Sequence, residues 1–233
     1  MSRLFFVLLI FLPLLLVGQT YERSYGVEFA PHHGSRRISA GQNVPFTEVE
    51  RQDSLETGRG GFSAGIVFES RADKIGFTTG IRYLQTGYAV DEQTTGAQGS
   101  GRTFTQAIKA SYISVPFELN FHQDITEKDR VHFILGVAAH LHLQTTTTQT
   151  VFQDGNEISK VVTSDDPDKD YRSPVVSLNT GIGFDRKLSE KWAIRLQPNF
   201  QFFLQGNLRD SFNQTNLNYY QLGVRLTVRR LFL

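Results

Sequence analysis

The chain has 233 residues, no cysteine and a formal net charge of +1. Lack of cysteine excludes a disulfide framework, a thiolate metal centre and a lipid on an N-terminal cysteine, and the charge balance offers nothing for nucleic acid to bind. A mean hydropathy of −0.26 excludes a bundle of membrane helices, because past Val17 no run approaches the ~20 apolar residues such a helix needs.

Taken in chain order, the first element is an export signal. Arg3 supplies the positive charge, Leu4 to Val17 the apolar core and Gly18 the small residue before a polar turn, so residues 1–18 read as a signal peptide and residues 19–233 as the mature domain.

The mature chain alternates. The first predicted strand, Arg23 to His32, puts Tyr25, Val27 and Phe29 on one face; the second, Gly60 to Ser70, offers Phe62, Ala64, Ile66 and Phe68. About 27 residues link them. After only Arg71 to Lys74 comes the third, Ile75 to Tyr88, with Ile75, Phe77, Ile81 and Tyr83. A Gly- and Thr-rich loop, Asp91 to Thr105, leads to the fourth, Gln106 to Phe121, which shows Ile113, Val115, Phe117, Leu119 and Phe121. The fifth, Val131 to Leu143, is the clearest: Val131, Phe133, Leu135, Val137, Ala139, Leu141 and Leu143 oppose His132, Gly136, Ala138, His140 and His142. A polar loop, Thr145 to Pro174, follows. The sixth strand is Val175 to Leu188; Ser189 to Lys191 turn the chain into the seventh, Trp192 to Gln205; and Gly206 to Asn216 precede the eighth, Leu217 to Arg229.

Eight amphipathic strands of about 10–14 residues exceed the usual strand of ~5–6 and match a tilted bilayer crossing. The fold class predicted is therefore all-β, an eight-stranded antiparallel up-and-down transmembrane β-barrel. Connections alternate long and short, as in outer-membrane barrels whose short turns face the periplasm, and an even strand count puts both termini there. Phe68, Phe121, Phe133, Phe184 and Trp192 then form the periplasmic aromatic girdle, and Tyr83, Tyr88, Phe202 and Tyr220 the outer one. The opposite faces collect Glu28, Glu69, Arg82, Glu118, Asp185, Arg195 and Arg225. Eight strands are just wide enough for side chains to fill the interior, so these charges are expected to plug the lumen as a paired network. Alternation alone also permits the reverse, a soluble lipocalin-like barrel with its apolar face inside.

Several segments resemble one family. Tyr112 to Phe121 (Tyr-Ile-Ser-Val-Pro-Phe-Glu-Leu-Asn-Phe) is similar to the "Tyr-Leu-x-Ile-Pro-Leu-Leu-Leu-Lys-Tyr" strand of PorT-like outer-membrane β-barrel domains, as are Tyr25 to Pro31, Gly181 to Phe184 and Tyr220 to Leu226. The resemblance spans nearly the whole mature chain. It implies an eight-stranded barrel in the outer membrane of a Gram-negative cell and, for PorT itself, a part in type IX protein secretion. One departure is the end, Leu231-Phe232-Leu233, where such chains commonly finish on an aromatic residue.

No nucleophile elbow, phosphate-binding glycine loop or zinc-protease motif occurs, and His140 with His142 read as lumen polarity. The expectation is a non-enzymatic accessory envelope protein without cofactor or metal, acting through loops Gly34 to Arg59 and Thr145 to Ser173. Its expected partners are outer-membrane lipid and lipopolysaccharide, the barrel-assembly machinery during insertion and another envelope or secretion-system protein, with no nucleic acid. The alternatives are a barrel enzyme acting on lipid or peptide, and the lipocalin-like lipid binder.

Overall fold

Period-two alternation along long strands leaves one arrangement that pairs every backbone group without an edge: a closed antiparallel ring. The computed structural model describes residues 22–39, 44–95, 101–165, 170–209 and 215–232. The expected signal peptide, residues 1–18, lies outside them. The described elements are β1 (Glu22–Ser39), α1 (Phe46–Ser54), β2 (Glu56–Ala72), β3 (Ile75–Thr94), β4 (Arg102–Asp124), β5 (Asp129–Gln153), β6 (Asn156–Ser164), β7 (Val175–Lys187), β8 (Trp192–Phe203) and β9 (Asn216–Phe232). Each ring strand pairs antiparallel with its neighbours, in the order β1-β2-β3-β4-β5-β7-β8-β9, and β9 closes on β1. This is the predicted eight-stranded ring.

The two faces sort by polarity. Tyr25, Val27, Phe29, Ile66, Ile81, Phe117, Leu135, Ile182, Leu196 and Leu222 all point outward and exposed, while the acids and arginines between them are buried inside. So large an apolar surface on a lone chain belongs against lipid. The lipocalin-like alternative is overturned, because its apolar face would have to line the lumen. On β5 the outward apolar band runs from Phe133 to Leu143, eleven residues, the ~9–11 that a tilted strand spends in hydrocarbon.

All eight ring strands exceed that need, β1 to β5 and β9 by the widest margin. β5 continues to Gln153 and β6 pairs with its C-terminal part, from Thr146↔Ser164 to Gln153↔Asn156. The segment Thr145 to Pro174, expected as a loop, thus holds a hairpin. Its turn is Asp154-Gly155, both with positive φ (51° and 81°), as a two-residue primed turn demands. Similarly, the link Gly34 to Arg59 contains α1 and the extensions of β1 and β2, and the expected loop Asp91 to Thr105 is shortened by β3 and β4. A bulge at Leu143, between the pairs Ser111↔Gln144 and Tyr112↔His142, reverses the inward parity of β5, so Thr145 is buried where continued alternation would put Gln144.

One aromatic residue departs from its expected face. Tyr88, expected in the outer girdle, is inward and buried with Tyr112, Phe203 and Tyr219. It follows Leu84 and Thr86 in the inward register, so alternation within its own strand decides its direction.

Candidate functional site

The lumen is filled in layers. At the end carrying the short turns, Glu22, Arg71, Asp124, Arg130 and Lys187 form a rim: Arg130 reaches Asp124 at 2.8 Å and Glu22 at 3.3 Å, and Lys187 Nζ lies 3.5 Å from Glu22. Phe68, Phe121, Phe133, Phe184 and Trp192 stand outward at this same end. Phe121 and Phe133 are cross-strand partners with stacked rings 6.4 Å apart.

Inside the rim lies the charge network, in two linked clusters. In the first, the Arg195 guanidinium donates to both oxygens of Asp185 at 2.7 and 2.9 Å and reaches Glu69 at 2.8 Å; Arg229 bridges the same two acids at 2.9 Å each. In the second, Arg82 lies 2.8 Å from Glu28 and 2.9 Å from Glu118. Arg225 lies 3.0 Å from Glu118 and 3.3 Å from Glu28. All seven residues singled out in the sequence are brought together here, and Arg229 completes them: four carboxylates face four guanidiniums. A buried ion must be paired to offset its desolvation, and each of these eight groups has an opposite charge within 3.0 Å. Gly136 stands opposite Glu118 on β5, where a Cβ would come within 2.8 Å of the Glu118 Cγ, so the glycine leaves that side chain room.

Above the charges the lining is neutral. His140 is held between Ser114 (2.6 Å) and Ser177 (2.7 Å), and Gln201 contacts it at 2.9 Å. A cavity of about 10 Å³ lies beside it, between His32, Ser114, Asn199 and Gln221, room for about one water molecule. The next layer is an apolar lid of Leu84, Tyr88, Ile108, Tyr112, Val175, Phe203, Leu217 and Tyr219. Phe203 stacks on the His140 ring at 4.5 Å. His142 stands apart from His140: Tyr171 stacks on it at 4.5 Å, and its Nε2 contacts Thr145 at 2.9 Å.

The mouth beyond the lid is covered in turn. Tyr171 and Leu208 form a bridge across it, and Arg172 N–H donates to the Asn207 carbonyl at 2.8 Å. Arg36 pairs with Glu56 and lies 3.7 Å over the Tyr88 ring. Among the described residues, cavities of about 210 and 240 Å³ lie here, sharing Arg36, Gln52 and Tyr88.

Sequence reasoning missed Arg229, His122, His132 and the aromatic lid. Arg229 had a readable signal, since Val228 outward places Arg229 inward. The lid did not, because Phe203 lies between two outward aromatic or aliphatic neighbours, Phe202 and Leu204, in a run with no polar contrast.

A closed ring with lipid-facing aromatics and a lumen plugged by ion pairs defines a transmembrane β-barrel of the plugged kind. The model of the outer membrane protein β-barrel domain matches residues 19–224, and the chain belongs to this family of outer-membrane barrels. Among solved structures, Neisserial surface protein A (NspA) aligns at 12% identity and a TM-score of 0.44, covering 89% of this chain and 96% of that one. OprG from Pseudomonas aeruginosa aligns at 12% identity and 0.41, covering 92% and 97%. Ail, the attachment invasion locus protein of Yersinia pestis, aligns at 11% and 0.32, covering 89% and 97%. No curated protein sequence matches.

Proposed function

We infer that this outer-membrane barrel is a non-enzymatic accessory protein that engages another envelope component through the end bearing its long strands. The observation that carries the reading is the β5–β6 hairpin. Among the described residues β6 pairs only with β5, and it turns Ile158, Val161 and Val162 to solvent beyond the lipid-facing band. A free strand edge carrying apolar residues is a template for another chain to add a strand. In this reading the short turns and both termini face the periplasm, Phe68, Phe121, Phe133, Phe184 and Trp192 sit in the inner interface, and lipopolysaccharide surrounds the outer half. Support of type IX secretion, as the PorT-like strands suggest, is the sharpest form of the role.

The enzymatic alternative draws on Ser114 and His140, a hydroxyl within hydrogen-bond reach of an imidazole. Against it stand the cavity beside them, sized for one water, and the Phe203 and Tyr112 lid above. Shortening Thr150 to Asp170 should leave a barrel that still shows heat-modifiable migration yet loses a partner that co-purifies with the parent from detergent. Changing His140 and His142 together to Gln should leave that partnership and cargo secretion intact. A double variant that folds normally but loses its role in an envelope or secretion assay would move the function to the strand-five histidines.

A further inference from the structure

We propose that His122, His132 and Asp185 form a binding site for one divalent transition-metal ion, zinc or copper in class, just inside the short-turn end of the lumen. One nitrogen of each imidazole and one Asp185 oxygen lie within 4.8 Å of one another. His122 on β4 and His132 on β5 are direct cross-strand partners facing inward, with ring centroids 5.4 Å apart. Both imidazoles are fully buried, and among the described residues none of their four ring nitrogens makes a hydrogen bond of good geometry. The nearest carboxylate oxygens are Glu69 Oε1, 3.3 Å from His122 Nε2, and Asp185 Oδ2, 3.8 Å from His132 Nδ1. Buried polar groups are almost always satisfied, and two adjacent imidazoles left with at best a long contact to a carboxylate are poised for a third body.

The backbone makes room for them. Gly183 faces His132 and Gly76 lies beside His122, where added Cβ atoms would come within 2.2 Å and 2.8 Å of the rings. Donors on a zinc ion stand roughly 3–3.5 Å apart, so the three atoms must draw in by about 1 Å, within the broad χ2 freedom of His and Asp. Arg195 and Arg229 act on this site in two ways. Their hydrogen bonds orient the Asp185 and Glu69 carboxylates, as outer partners of a metal centre do. Their charge also repels a hard cation held by electrostatics alone, which selects ions that bond strongly to imidazole over calcium or magnesium.

The test is equilibrium dialysis of the detergent-folded barrel against Zn²⁺, with folding checked by heat-modifiable migration. The parent should retain one ion per chain. His122→Gln and His132→Gln should each weaken binding at least ~10-fold, and His33→Gln, an exposed histidine, should leave it unchanged. Failure of the parent to retain zinc overturns the proposal, as does parental affinity in both lumen variants or loss in His33→Gln. If the lumen variants do not fold, electron paramagnetic resonance of the Cu²⁺-loaded parent decides: coupling to two imidazole nitrogens is expected, and a spectrum with oxygen ligands only refutes the site.

Discussion

The two halves of the lumen are packed by opposite means. Toward the short turns, eight ionised groups and their neighbours fill the barrel; toward the long strands, the same diameter is filled by Tyr88, Tyr112, Phe203, Tyr219 and aliphatic residues. The two respond differently to change. Removing one ion strands its partner in a medium that cannot solvate it, whereas an aromatic layer loses only the contacts of the atoms removed. The charged half specifies and the aromatic half seals.

The sharpest way to break this contrast is Glu118→Gln, nearly isosteric, which leaves Arg82 and Arg225 sharing Glu28 alone. A loss of about 3–5 kcal/mol is expected, read from urea unfolding of the barrel in detergent or lipid. An unchanged midpoint would mean that the ion pairs contribute no net stability. Phe203→Leu, a comparable change in the upper half, should cost less than about 1.5 kcal/mol in the same assay. If it costs more than Glu118→Gln, the contrast is reversed. Replacing residues 154–165 with a short turn removes β6 and touches neither half; a change within about 0.5 kcal/mol is expected, and a larger one would make the hairpin part of the folding unit.

The smallest effect belongs to α1. Hydrogen bonds from Arg51, then from Gln52, hold the exposed Glu48 carboxyl down to about 2. A depressed acid contributes above its unfolded pKa and loses the contribution as pH falls through its folded value. Amide exchange in residues 46–54 should therefore quicken between about pH 4.5 and 2, with the β4 and β5 amides unaffected. Equal quickening in Glu48→Gln would show that the carboxylate plays no part.

How much of this was legible in the sequence depended on contrast between the two faces. Where lipid faces one side and charge the other, as at Tyr25-Gly26-Val27-Glu28, alternation gave strand, direction and burial together. At Phe202-Phe203-Leu204 both faces are apolar, and the lid was invisible. Leu143 reverses parity through a bulge that no pattern announces. Asp154-Gly155 is the strongest hairpin dipeptide in the chain, but it is embedded in a polar stretch whose threonines read as loop. His122 and His132 fall at opposite ends of a turn, so only the pairing register brings them together. Four acids against three arginines was itself a clue, since an uneven buried set calls for another cation, and Arg229 supplies it.

The distribution of those charges along the chain has a bearing on insertion. Three acids, Glu28, Glu69 and Glu118, lie on β1 to β4 against one base, Arg82; the later strands β7 to β9 carry Arg195, Arg225 and Arg229 against Asp185. Each half alone is electrically lopsided, and five of the contacts, Glu69 to Arg195, Glu69 to Arg229, Glu28 to Arg225 and both Arg225 bonds to Glu118, join one half to the other. A half-made barrel would carry uncompensated charge into the bilayer, so neutrality arrives only when the ring shuts. The early strands and the late ones carry opposite net charge, and closure of the ring brings each set to its partners.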